Sequence, residues 1–387
     1  MKILHTSDWH LGHTIYNYDR MEEQTAMLEQ MVTLVAEHKP DVFLLCGDVY
    51  HTSQPSSSVQ TMFTDAMVKI HNAHPDMKII VTAGNHDSGT KHEIFRNPWM
   101  ALNVHVIGTL NKINRDEHII EIPHKGYIIA IPYVNERNMP EGFFQELIEQ
   151  VNKHNTENLP VIMTAHTTVS GCDFSGHDDC SEYVVGGIDS IDIRQFGDRY
   201  DYLALGHIHH AQYIPGSQKK ARYSGTPLPV SFDETYDHSI TLVEISQHGE
   251  PVQSETISIF NPRPLVSLPS QEMASWEQAK QLLQEFPSDI EAYIRLNVEI
   301  EDFLPPEAQM EAVNLTQGKK CRFCYINAKR KDRDKSETKI LTVQEFQSEK
   351  PIDIARRYAE DSGVDFSQEM IDMFMEAQKM VEDEIRD

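Results

Sequence analysis

Short apolar blocks alternate with helical stripes along the first third of the chain. Lys2 to Thr6 reads as a strand, and the stretch Met21 to His38 sets Met21, Leu28, Met31, Val32 and Val35 on one helical face. Asp41 to Cys46 reads as a buried strand, Ser56 to His71 as a helix, and Lys78 to Ala83 as a strand rich in β-branched residues. The order β-α-β-α-β predicts parallel strands with helices covering the faces. Beyond Val104 the blocks shorten, with strands predicted at Ile119 to Ile122, Tyr127 to Ile131, Val161 to Ala165, Tyr202 to Leu205 and Arg222 to Ser224. The whole predicts one α/β domain ending near Phe260, its sheets packed on each other with helices outside.

Asn261-Pro262-Arg263-Pro264 marks a boundary, because two prolines in four residues stop both helix and sheet pairing. A small α+β unit is predicted beyond it, with a helix at Trp276 to Glu285 and strands at Ala292 to Val298 and Cys321 to Ala328. From Pro351 the pattern is helical. Met370, Met373, Phe374, Ala377, Met380, Val381 and Ile385 share one face, and Asp372, Glu376, Glu382 and Asp383 the other. The expected domains are residues 1–262, 263–347 and 348–387.

Composition places this chain among ordinary globular proteins, 40% apolar and 24% charged. No run approaches 18 uncharged apolar residues, and the N-terminus meets Asp8 and His10 before a signal-peptide core forms. A soluble, cytoplasmic protein with no membrane partner is expected. The five cysteines are scattered and odd in number, which suits a reducing compartment. Cys321 and Cys324 have the spacing of half a zinc site, but no second pair exists and their run reads as a strand. Thirty-four basic against 60 acidic residues leave a net charge of -26, which taken alone argues against a nucleic-acid partner. One stretch departs from this: Gly318 to Lys339 holds nine basic and three acidic residues, a local +6 that includes Lys329, Arg330 and Lys331. Such a stretch can follow a phosphate backbone without reading bases.

Histidine changes the picture most, at 20 of 387 residues. Asp8 and His10 follow the first strand, in TSDWHLG. Asp48 follows the second in LLCGDVYH, with His51 three residues on, and Asn85, His86 and Asp87 follow the third in TAGNHDS. Two later apolar runs end at His166, in MTAH, and at His207 and His209, in ALGHIH. The carboxyl ends of strands form the ligand-binding rim of an open α/β sheet, so these donors are expected on one edge. Gly47, Gly84 and Gly206 precede ligand positions, where a turn without Cβ is expected. Carboxylate, carboxamide and imidazole without thiolate suit Mn²⁺, Fe²⁺ or Zn²⁺ in a site for two divalent metal ions. Such a pair clamps both sides of an in-line phosphoryl displacement.

The ordered series DxH, GDxxH, GNHD, H and GHxH resembles the calcineurin-like metallophosphoesterase superfamily. HTSDWHLG, LALGHIHHAQ and YSGTPLPVSFDE narrow the resemblance to its branch of DNA double-strand-break nucleases, and it covers nearly the whole chain. The fold this implies is a metallophosphoesterase β-sandwich flanked by helices, then an α+β capping domain that contacts DNA, then C-terminal helices. Asp8, His10, Asp48 and His209 are implied as ligands of one metal, and Asp48, Asn85, His166 and His207 as ligands of the other, with Asp48 bridging. His86 is implied to face the scissile phosphate as proton donor or charge stabiliser. His51 matches a histidine that some relatives place near the phosphate, and Asp87 is implied to orient a histidine from behind the ligands.

The activity implied is 3′→5′ exonuclease on duplex ends and endonuclease on single strands or hairpins. The same resemblance implies a homodimer within a 2:2 complex, in which Met370, Met373, Phe374 and Met380 dock an ATPase partner. A small-molecule metallophosphatase or phosphodiesterase is the alternative, which needs neither the unit after Pro264 nor the helical tail. A DNA-end tether with a vestigial metal site is a third reading, and the complete ligand set weighs against it.

Overall fold

Val42–Cys46 is buried at every residue, which requires cover on both faces of its strand. The computed structural model describes residues 1–135, 138–176 and 190–331, together with Ile352, Arg356, Ser367, Met370, Ile371, Met373, Phe374 and Met375. Val42–Cys46 lies inside a six-stranded sheet ordered Gln253–Ser258, Ser239–Glu244, Lys2–Thr6, Val42–Cys46, Lys78–Thr82 and Val104–Ile107. The last four strands run parallel, and the first two are antiparallel additions. A second six-stranded sheet runs Gln212–Tyr213, Ala221–Tyr223, Tyr202–Gly206, Val161–His166, Gly126–Ile129 and Ile119–Ile122, with four parallel strands at its centre.

The two sheets face each other across Ile3, Val42, Leu44, Ile80, Ile128, Ile162 and Ala204. Each fully buried side chain the size of Leu44 contributes about 1.5–3 kcal/mol relative to exposure. Alternate residues of the same strands point outward. Leu4, Phe43, Leu45 and Val81 meet the helices Met21–His38 and Ser57–Ala73, and Ile129, Met163 and Leu203 meet the helix Phe143–His154. The result is a four-layer sandwich, helices outside and sheets within, as the apolar pattern predicts. The helix Phe143–His154 and the strands Ser239–Glu244 and Gln253–Ser258 are additions to that pattern. Gln253–Ser258 is exposed along most of its length, so it lacks the apolar alternation by which an edge strand is read.

Beyond Pro264 the chain forms a parallel three-stranded sheet, Leu265–Leu268, Tyr293–Ile300 and Arg322–Arg330, connected through the helices Trp276–Glu285 and Ala308–Leu315. Ser275 and Gln278 form a capping box at the start of the first helix. Both helices cover one face, where Trp276, Leu283, Ile294, Leu296 and Phe323 share a core. The other face meets the hairpin Thr14–Asp19 of the sandwich through Tyr293, Cys324, Ile15 and Phe232. Tyr325 stacks on Tyr16 at 4.3 Å, and the Tyr293 hydroxyl donates to Glu23 at 2.7 Å. Cys321 and Cys324 are buried parts of this unit. Residues Met1–Arg330 make up one compact unit and Lys331–Asp387 a second.

Within the second unit Met370, Ile371, Met373, Phe374 and Met375 are helical, and Met370 and Met373 are exposed at 37% and 59%. Met380 lies outside the described residues. Among the described residues no helix is long and apolar enough to cross a membrane.

Candidate metal centre

Five parallel strands, three from one sheet and two from the other, end on the same edge of the sandwich. Their loops are tied to one another by backbone bonds. The Asp8 amide donates to the Gly47 carbonyl at 3.1 Å and the His10 amide to the Asp48 carbonyl at 3.0 Å. Asp8, His10, Asp48 and His207 all adopt positive φ (54°, 44°, 48° and 98°), a region that side-chain-bearing residues enter at a cost of about 1–3 kcal/mol each and that clusters at functional sites. Gly47 also has positive φ, and a Cβ there would collide with His166 Nδ1. Gly84 differs from the turn expected of it. Its φ is ordinary, and glycine is required because a Cβ would strike the Asp48 carboxylate.

The structure brings the seven implied ligands together. The donor atoms of Asp8, His10 and His209 lie within 4.8 Å of one another, as do those of Asp8, Asp48 and His166. His10 Nε2 faces His209 Nε2 at 3.1 Å and lies 3.8 Å from Asp48. His166 Nε2 approaches Asn85 Oδ1 at 3.0 Å and Asp48 Oδ2 at 3.3 Å, and His207 Nδ1 approaches the same Asn85 oxygen at 3.1 Å. His10, His51 and His86 form a third group within the same reach. A cavity of about 290 Å³ opens beside it, lined among others by His13, Tyr16, His51 and Phe232. A larger cavity, about 740 Å³ between Phe63 and Trp99, contains none of the ligand positions.

Tautomers follow from what lies behind each ring. His166 Nδ1 is 2.9 Å from the Cys46 carbonyl, which only accepts, so Nδ1 carries a proton and Nε2 is the nitrogen directed at the Asn85 and Asp48 oxygens. His209 Nδ1 lies 2.8 Å from the buried Glu234 carboxylate, which leaves Nε2 directed at His10. Imidazole nitrogens converging on carboxylate and carboxamide oxygens, and an imidazole pair nose to nose, fit a site for divalent cations. His10 Nδ1 is moreover buried with no hydrogen-bond partner among the described residues.

Around the ligands, the Asp8 carboxylate accepts from Ser7 Oγ and from the His207 amide at 3.0 Å. Asp48 accepts from the His86 amide at 2.9 Å. The His86 ring sets Nδ1 2.9 Å from the His51 carbonyl. Asp87 accepts from the amides of Val49, Tyr50 and Gly84, and the histidine beside it is His92 at 3.4 Å rather than a ligand. Sequence reasoning gives Glu234 no role of its own. It sits in the SFDE run, but its pairing with a ring 25 residues earlier leaves no local signal.

Lys329 and Arg330 end the last strand of the capping sheet and are exposed, as is Lys331. None of the three appears in the metal groups.

Burial pushes Asp8 up to about 7, with Asp48 adding and His166 opposing. Burial alone lowers His166, but Asp48 and Asp8 outweigh it and hold the imidazole up at about 9. A proton therefore competes with any cation for His166 Nε2 below about pH 9, so metal loading at neutral pH expels protons and tightens as pH rises. Calorimetric Mn²⁺ titrations at pH 7.5 in buffers of different ionisation enthalpy should give enthalpies that differ by the protons released. Identical enthalpies would remove the competition.

The family model for calcineurin-like phosphoesterase matches residues 1–211. The chain is similar to the SbcD component of the SbcCD nuclease of Bacillus subtilis (strain 168), 27% identical over 99% of each chain. It is also similar to the SbcD component of the Escherichia coli (strain K12) nuclease, 26% identical over 87% of each. A third relative of that name, from Rhodobacter capsulatus, is 28% identical over 70% of this chain and 72% of its own. From the first strand to the end of the GHIHHA run the family's pattern is continuous, and the chain belongs to the calcineurin-like phosphoesterases.

Proposed function

We propose that this phosphodiester hydrolase is a metal-dependent DNA nuclease of the SbcD kind. The observation that carries the reading is the reach of the similarity. It runs over 99% of the Bacillus subtilis SbcD protein, through the three-stranded unit and the tail as well as the sandwich. The finer reading is a 3′→5′ exonuclease on duplex ends and an endonuclease on single strands and hairpins, serving break repair, recombination and replication. Two divalent cations, Mn²⁺ first, would be held by Asp8, His10, Asp48 and His209 on one side and by Asp48, Asn85, His166 and His207 on the other. When bound they supply positive charge to the phosphate oxygens of an in-line displacement.

The chain's own chemistry centres on His86. With Nδ1–H held by the His51 carbonyl, a proton on Nε2 is the one His86 has to give. Handing it to the departing 3′-oxygen returns the ring to the neutral tautomer that the carbonyl already supports. The His51 ring, 5.6 Å away and nearly parallel, adds a second imidazole beside the same phosphate.

The first test is cleavage of a 3′-labelled duplex in Mn²⁺, set beside para-nitrophenyl and bis-para-nitrophenyl phosphate. Wild type degrades DNA and Asp48→Ala does not. His86→Ala binds metal normally but loses about 10²- to 10⁴-fold in cleavage rate. Turnover of the small esters alone would return the chain to the metallophosphatase alternative, and full nuclease activity in His86→Ala would end that assignment.

Lys329, Arg330 and Lys331 supply phosphate contacts in this reading, since the chain as a whole is acidic. Replacing all three with Ala should flatten the slope of log affinity against log salt by about 0.9 for each phosphate no longer neutralised. An unchanged slope assigns them to a solvated surface.

Met370, Met373 and Met375 are exposed, and the methionine-rich sequence they belong to suits an adaptable helix-docking surface, whose proposed partner is an SbcC-type ATPase in a 2:2 complex. Deleting residues 367–387 is expected to abolish co-purification with that ATPase while metal stoichiometry stays at two. Retained co-purification would give the stripe an internal role.

A further inference from the structure

Glu234 holds one imidazole of the metal centre, and the turn that carries it is gripped from the capping sheet. Its Oε1 lies 2.8 Å from His209 Nδ1, while Oε2 accepts from the Val230 amide at 3.2 Å. The residues just before it, Phe232 and Asp233, project toward the three-stranded sheet. There Arg295, on the middle strand and 6% exposed, closes its guanidinium on the turn. Nη1 donates to Asp233 Oδ1 at 2.5 Å and Nη2 to the Phe232 carbonyl at 3.2 Å. The fork is itself braced from both neighbouring strands, with Nε donating to Ser267 Oγ at 3.0 Å and Nη1 to Tyr325 Oη at 3.4 Å.

A planar guanidinium with five donors can fix a carboxylate, a carbonyl and two braces at once, and a lysine cannot. A glutamate on a turn outside any strand has three side-chain torsions to hold before it can present one oxygen to His209. Locking Phe232 and Asp233 removes the backbone freedom from which those torsions start.

We propose that Arg295 is a positioning residue for the metal centre, clamping the Phe232–Asp233 turn so that Glu234 fixes the tautomer and direction of His209. The inference rests on His209 being a metal ligand. It means that the capping unit, which supplies no ligand, carries part of the metal site's geometry.

Full-length protein is titrated with Mn²⁺ by calorimetry and, in parallel, loaded with Co²⁺ so that visible absorption reports coordination geometry. Glu234→Ala should weaken one of the two sites by roughly 10- to 100-fold, the usual effect of removing a ligand's hydrogen-bond partner. Arg295→Met should weaken that same site on the order of tenfold and alter the Co²⁺ spectrum, and Arg295→Lys should restore only part of the loss. Because Arg295 acts through Glu234, the double variant should be no weaker than Glu234→Ala alone. Asp233→Asn, which changes a side chain 52% exposed, should shift the same site in the same direction with the cap's packing untouched.

Wild-type affinities and spectrum in both Arg295→Met and Asp233→Asn overturn the proposal. So do equal losses at both sites, or an additive double variant. Wild-type protein that binds no Mn²⁺ would instead remove the reading of His209 as a ligand, a failure distinguishable from the others.

Discussion

Two carboxylates, Asp8 and Asp48, are buried side by side at 0% and 2% exposure, and the surrounding structure is arranged to make that tolerable. Burying a single ion costs several kcal/mol, and a like charge alongside raises the cost. Hydrogen bonds from Ser7 and from the amides of His207 and His86 offset part of it, and His166 offsets more. Divalent cations held by these donors would offset what remains. Each of these groups must arrive at the end of a different strand, so the loops are forced into left-handed backbone and held by amide bonds between them. That strain persists because the apolar interior pins the strands from below. A core built from Ile3, Leu44 and Ile162 is what permits two charges at its rim.

The part of the site that lies on the strands was legible because two signals coincide there. An apolar run followed at once by Asp, His or Asn announces both a strand and its chemistry, as in LLCGD and ALGHIH. Histidine abundance alone would have misled. His5 is fully buried between the sheets with Tyr202 at 3.0 Å, and burial lowers it to about 3, while His118 bridges the Ala130 carbonyl and the Asn111 amide. These are satisfied core groups, and nothing in their neighbours along the chain separates them from His166. Glu234 and Arg295 were illegible for the opposite reason. Their partners lie 25 and 62 residues away, at a distance no periodicity spans.

The edges of the fold show the same division. Val42–Cys46 was readable because burial on both faces writes an unbroken apolar run, VFLLC. Gln253–Ser258 carries mostly polar residues and pairs only through its backbone with Ser239–Glu244, so side-chain pattern had nothing to record. The strand Leu265–Leu268, only four residues long beside Pro264, gave too short a run to separate from the linker.

The seam between sandwich and cap bears on how the centre works. Glu23 is 1% exposed, and it meets Arg263 at 3.2 Å and the Tyr293 hydroxyl at 2.7 Å. Removing one partner of such a buried pair costs about 3–5 kcal/mol, so a cap that left would strand charges in the sandwich. The apolar contacts of Ile15, Phe232 and Cys324 at the seam leave latitude in the angle between sandwich and cap. The ion pair and hydroxyl bond on Glu23 beside them narrow that latitude, because hydrogen bonds hold only over a limited range of distance and angle. With Arg295 on that same face, the orientation of the cap and the direction of His209 become parts of a single constraint. The cap is thereby a structural member of the metal centre as well as a surface beside it.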